Sequence, residues 1–143
     1  MSSEYKKFLK LTKCICTNLR RSSRNISQIY NRNLRKSGEL INANQVSILV
    51  ALSQFKKLKI TELSKKLNME RTTITRNLSV LKKFNWIQIL IEIDGRIKFV
   101  SITKEGKRVI QKIIPFWENA QNETKKLLGK DLKLFQENLK KLI

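Results

Sequence analysis

The chain has no histidine, two cysteines, one proline and four glycines, and its 11 acidic residues face 31 basic ones. Without histidine, imidazole acid–base chemistry and His-ligated metal sites are excluded. The cysteines sit together as Cys14-Ile15-Cys16. With no third cysteine, a thiolate zinc site within one chain lacks ligands. Side chains two apart on a helix diverge, which also argues against an internal disulfide. The usual nucleophile and base pairings lack their histidine, and no glycine-rich phosphate loop is present. No catalytic residue, metal or cofactor is therefore expected, and an enzyme is the least favoured class. No apolar run approaches the ~20 residues that span a bilayer. The segment MSSEYKKFLKLTK has no apolar signal core, so a cytoplasmic protein without a membrane partner is expected.

What is present is positive charge, +20 net. That points to a polyanion partner. The excess is spread along the chain: +8 over residues 1–42, +7 over 43–103 and +5 over 104–143. Charge thus supports nucleic-acid binding without locating it. At 143 residues and 41% hydrophobic content, one domain with a modest core is expected.

The informative stretch is residues 60–102, ITELSKKLNMERTTITRNLSVLKKFNWIQILIEIDGRIKFVSI. Ile60, Leu63 and Leu67 share one helical face, with Thr61 as a candidate N-cap. Asn68-Met69-Glu70 breaks the helix, and the Glu70 carboxylate is placed to cap the next one. In that next helix, phasing at about 100° per residue turns Ile74, Leu78 and Leu81 to the core. Thr72, Arg76, Ser79 and Lys83 fall on the opposite side, with Thr75 at its edge. This face bears hydroxyls, a guanidinium and an ammonium but no carboxylate. It suits base edges and phosphates in a major groove, and it equally describes a solvated helix surface.

The following residues shift the balance toward the first. Ile87, Ile89, Ile91 and Ile93 alternate as in a strand. Asp94-Gly95 is a two-residue turn signal, and residues 96–102 return as a second strand. Helix, turn, helix, hairpin is the order of a winged helix-turn-helix, in which Arg96 at the hairpin tip can reach a minor groove.

Helices flank this lobe. Phe8, Leu11, Ile15, Leu19, Ser22, Ile26, Ile29/Tyr30 and Leu34 recur every three or four residues and read as one long helix ending at Lys36-Ser37-Gly38. At ~27 residues and ~1.5 Å each it is too long for so small a domain to cover. A second copy of the chain is the simplest cover. Residues 42–52 form a short helix with an Asn42 cap and Val46, Leu49, Val50 and Leu52 on its buried side, and residues 55–59 are a link. Thr103 caps a helix through Pro115, which should kink it. Gly129 ends it, and Leu132, Phe135, Leu139 and Leu142 mark a last amphipathic helix. Tyr30, Trp86 and Trp117 read as core.

The ERTTITRNLSVL helix, and Asp94 and Arg96 followed by Val100, Ile102, Thr103 and Gly106, resemble the DNA-binding lobe of MarR-type transcriptional regulators. CICTNLRRSSRNISQIY is similar to that family's long first helix and PFWENAQ to its penultimate one. The resemblance implies a mainly α protein with a small β-hairpin wing. Residues 1–143 would form one MarR-like domain: a winged-helix DNA-binding lobe over 42–103, and a helical dimerisation region over 1–40 and 104–143. It implies major-groove contacts from Thr72, Thr75, Arg76 and Asn77, with Ser79 and Lys83 further along. Arg71 and Thr73 would meet base or phosphate, and Thr61, at the start of the preceding helix, would also contact DNA. In the wing, Asp94 would orient Arg96, helped by Lys98. It further implies a homodimer on a pseudo-palindromic duplex DNA operator, most simply a repressor released by a small-molecule effector. Two alternatives remain open. Cys16, with Tyr30 approaching from the other subunit, resembles organic-hydroperoxide sensors of the family, although Arg20 replaces one of their tyrosines. An effector-free architectural DNA-binding protein would show little operator preference and a binding constant set almost wholly by salt.

Overall fold

Leu34, Leu49, Leu52, Leu63, Ile74, Leu81, Val100 and Val109 have no exposed surface in the computed structural model, which describes residues 1–143. They come from six helices and strands and meet in one core cluster. The chain runs α1 (Ser3–Leu11), α2 (Ile15–Arg35), α3 (Ala43–Ser53), β1 (Leu58–Lys59), α4 (Ile60–Leu67), α5 (Arg71–Lys83), β2 (Ile87–Ile91), β3 (Lys98–Ile102), α6 (Lys104–Leu128), a short 3-10 turn and α7 (Leu132–Lys140). The mainly α architecture with a small wing is as expected.

Several local signals act as the sequence indicates. Asn42 and Gln45 close a reciprocal capping box on α3. Thr103 Oγ1 accepts from Gly106 N at 3.0 Å and caps α6, which continues through Pro115. Gly38 and Gly129 take positive φ where helices end. Ile74, Leu78 and Leu81 are the buried residues of α5.

Other expectations are corrected. The long first helix is two helices, α1 and α2. Thr12 Oγ1 turns back to Leu9 O (2.7 Å), and Cys14 is extended at ψ 118° before α2 begins. Residues 1–25 are all exposed. No packing therefore holds the helix continuous where a Thr-Lys-Cys stretch has weak propensity. The periodicity of Leu11 and Ile15 survives the break, so spacing could not reveal it. Thr61 is not the N-cap of α4. Lys59 holds that place, and its N–H donates to Glu62 Oε2 at 2.9 Å. Glu70 does occupy the N-cap of α5, but its side chain makes no capping bond.

The sheet has three strands, ordered β1-β3-β2, where two were expected. Leu58 and Lys59 lie opposite Val100 and Phe99, so part of the supposed link is β1. The wing tip is also wider than a two-residue turn. Glu92 N donates to Ile97 O (3.0 Å) and Gly95 N to Glu92 O (2.8 Å). This encloses a loop of Ile93, Asp94, Gly95 and Arg96, so Arg96 precedes the second strand. Ile87 is buried, but Ile91 and Ile93 are exposed, because nothing lies beneath the outer half of the wing. Val50 and Trp117 are exposed as well, while Ile48 takes the core place given to Val50.

α1 and α7 bury no residue. Phe8, Leu11, Ile15, Leu127, Leu134 and Phe135 stay exposed in the single chain. A groove of ≈ 670 Å³ runs between α2, α6 and α7, lined by Leu19, Ile26, Leu128, Leu132 and Phe135 among others. No helix is long and apolar enough to cross a membrane.

Candidate nucleic-acid interface

The exposed side of α5 follows from the burial of the other. With Ile74, Leu78 and Leu81 inward, Arg71, Thr72, Thr75, Arg76, Ser79 and Lys83 are exposed, and Thr73 and Asn77 are half-buried. No acidic residue lies between Arg71 and Lys83. Two of the polar side chains are engaged by the helix itself. Thr75 Oγ1 donates to Arg71 O (2.9 Å), so its only hydroxyl proton is committed and the oxygen faces outward as an acceptor. Asn77 Nδ2 donates to Thr73 O (2.9 Å), leaving its Oδ1 free to accept. These two can accept hydrogen bonds from the exocyclic amines of adenine or cytosine, while Arg76 supplies the donor fork that suits guanine.

The wing stands beside this helix. Arg96 is exposed at its tip and Lys98 at the start of β3. The Asp94 carboxylate accepts from the backbone N–H of Arg96 at 3.1 Å. No Asp94–Arg96 ion pair is present among the four in the chain. In this structure Asp94 therefore shapes the turn and does not hold the Arg96 guanidinium, as the resemblance had implied. Thr61, Arg71, Thr75, Arg96 and Lys98 converge on one cleft of ≈ 480 Å³ between α4, α5 and the wing. Lys59 lines it too. The sequence carried no signal for that, because a two-residue strand has no periodicity.

Cys16 and Tyr30 lie apart from this face. Both are on α2, fourteen residues from one another, about 21 Å along the axis. Cys14 and Cys16 are free and exposed. Cys14, at the N-cap of α2, has its thiol held below the usual value by hydrogen bonds with Thr17. The Tyr30 hydroxyl donates to Gln121 Oε1 of its own chain, and burial pushes its pKa up. A second cleft, of ≈ 230 Å³, lies where α2, α3 and α6 meet. Tyr30, Leu34, Val46 and Trp117 wall it, with the hydroxyls of Ser27 and Ser47.

A helix pair packed on a three-stranded sheet, with a polar second helix and a hairpin beside it, defines a winged helix-turn-helix of the kind found in transcriptional regulators. Residues 41–90 match the family model described as MarR family. The chain is similar to the transcriptional regulator MosR of M. tuberculosis, solved in complex with DNA. Identity is 30%, over 90% of this chain and 92% of the other, with a TM-score of 0.77. The chain belongs to the MarR family of transcriptional regulators. Two more distant structures share the fold. One is a cysteine-to-serine variant of MarR from E. coli complexed with operator DNA (21% identity, 99% of each chain, TM-score 0.78). The other is PcaV from Streptomyces coelicolor in complex with its natural ligand (19% identity, 92% and 93% covered, TM-score 0.79). Among curated proteins, none matches the chain.

Proposed function

We propose that the chain is a homodimeric cytoplasmic repressor that occupies a pseudo-palindromic duplex DNA operator and leaves it when a small molecule binds. The observation that carries this is the exposed face of α5, with hydroxyl acceptors, a guanidinium and no carboxylate, turned away from Ile74, Leu78 and Leu81. Thr72, Thr75, Arg76 and Asn77 read bases. Ser79 and Lys83 extend the contact, Arg71, Thr73 and Thr61 meet the backbone, and the wing adds Arg96 and Lys98. MosR and E. coli MarR, both solved with DNA, support the assignment.

The exposed apolar residues of α1, α6 and α7 support a dimerisation region over 1–40 and 104–143, with the DNA-binding lobe over 42–103. A second copy would cover them and set the two α5 helices in successive major grooves, roughly 34 Å apart. The cleft walled by Tyr30, Leu34, Val46 and Trp117 joins the terminal helices to the lobe and suits a small apolar or aromatic effector. Release requires that the effector bind the free state more tightly than the DNA-bound one.

Selection from random duplexes, followed by footprinting, tests this. A pseudo-palindrome with half-sites about one helical turn apart is expected. A stable monomer in solution, or the same affinity for every sequence, removes the proposal. The exposure of Cys16 supports one other trigger, oxidation at that thiol. Cys16→Ser would then abolish peroxide-driven release and leave DNA binding intact, and unchanged release eliminates that trigger.

A further inference from the structure

We propose that the cleft between α4, α5 and the wing clasps a single backbone phosphate of the bound duplex, with Lys59 as one of its contacts, so that one phosphate ties the wing to the recognition helix. This rests on the DNA-binding reading above.

Four cations line the cleft: Lys59 at the end of β1, Arg71 at the start of α5, Arg96 in the wing loop and Lys98 at the start of β3. The hydroxyl-bearing Thr61 and Thr75 complete its polar wall. No carboxylate lines it, and none of the four cations joins any ion pair of the chain. Two acids close to them in the chain are turned to backbone donors. Glu62 accepts from Lys59 N at 2.9 Å, and Asp94 accepts from Arg96 N at 3.1 Å. Four like charges from separate elements gathered around one concavity repel each other and focus a positive field into it, and an anion relieves both.

The anion follows from where the cleft opens. α5 enters a major groove and the wing an adjacent minor groove. One sugar-phosphate backbone separates two such grooves, so the cleft between helix and wing must straddle it. Lys59 is set by the sheet. It lies opposite Phe99, and its Nζ stands 5.9 Å from the Phe99 ring centroid, while Lys57 Nζ sits over the same ring at 4.2 Å. Both ammonium groups thus stand over the Phe99 ring, Lys57 the nearer, and Lys59 also lines the cleft.

The test uses the full chain on its selected operator, intact or with one neutral methylphosphonate placed at each backbone position in turn. One position per half-site should weaken wild-type binding, and weaken Lys59→Gln binding by less. Lys59→Gln should lower affinity about fivefold with unchanged sequence preference, and the slope of log affinity against log salt should fall by about one. Lys59→Arg should retain the slope, and Lys57→Gln should retain the methylphosphonate effect. Circular dichroism confirms that each variant is folded. An unchanged salt slope in Lys59→Gln overturns this inference alone. So does a Lys59→Gln chain that loses as much affinity as the wild type at every position. A wild-type chain with no operator overturns the DNA-binding reading and this inference with it.

Discussion

The α-carbon of Gly106 packs so closely on the main chain of Trp86 that an added Cβ would lie 2.2 Å from the Trp86 carbonyl oxygen and 2.8 Å from Ile102 Cγ1. The same carbonyl accepts from Thr103 N at 3.0 Å, and Thr103 Oγ1 donates to Asn85 O at 2.7 Å. This is the joint at which the end of the recognition helix, the sheet and α6 meet. Backbone cannot yield as a side-chain tip can. Gly106→Ala should destabilise the fold by about 1–3 kcal/mol. Its denaturant midpoint would fall at unchanged slope, and an unshifted midpoint would show that the joint is soft.

Arg76 projects from the middle of α5 with no ion-pair partner in the chain. Arg76→Ala should cost about 1–3 kcal/mol on the selected operator and less on random duplex. Titrations of both duplexes at one salt concentration compare the two losses. Equal losses would mean that Arg76 holds phosphate and reads no base.

Leu127 is exposed near the C-terminal end of α6, beside the groove formed with α2 and α7. In a single chain, Leu127→Glu buries nothing and should leave the melting temperature of the lobe nearly unchanged. If a second copy covers this region, the carboxylate must be desolvated there. Sedimentation should then show a monomer–dimer equilibrium shifted toward monomer, with operator affinity lost in parallel. A variant that remains fully dimeric would place the interface elsewhere.

Glu39 anchors the segment between α2 and α3 to α6. Its Oε1 accepts from Lys112 Nζ at 2.8 Å and from Arg108 Nη2 at 3.3 Å, and its side chain is only 14% exposed. The hydrogen bond from Lys112, followed by that from Arg108, holds its carboxyl below the ordinary value of 4.5. A depressed carboxyl pKa favours folding wherever the group is ionised. The contribution is complete above the ordinary value and is lost as pH falls through it toward the lower folded one. Glu39→Gln should therefore be less stable than wild type at neutral pH. In urea melts the two should converge as the pH falls far enough to protonate the folded carboxyl, and a difference that persists there would mean that packing rather than charge is responsible.

The phase of α5 was legible because three aliphatic residues, Ile74, Leu78 and Leu81, recur at helical spacing with only Val80 as a further apolar residue among them. Stop and start signals such as Asn42, Thr103 and Gly129 were legible because they act through bonds or φ angles within a few residues. β1 was not. Two residues have no period, and Leu58-Lys59 is a strand only because β3 offers it an open edge. The outer wing misled in the opposite way: Ile91 and Ile93 keep the alternation of a half-buried strand where no core lies beneath them.

By itself, the order of residues determined the helices of the DNA-binding lobe, the side of α5 that stays wet and the excess of positive charge, since each depends on local spacing or simple counting. Only the tertiary structure decided that Lys59 joins Arg71, Arg96 and Lys98 around one cleft. These four come from separate elements, and their proximity exists only once the sheet has closed against the helix pair.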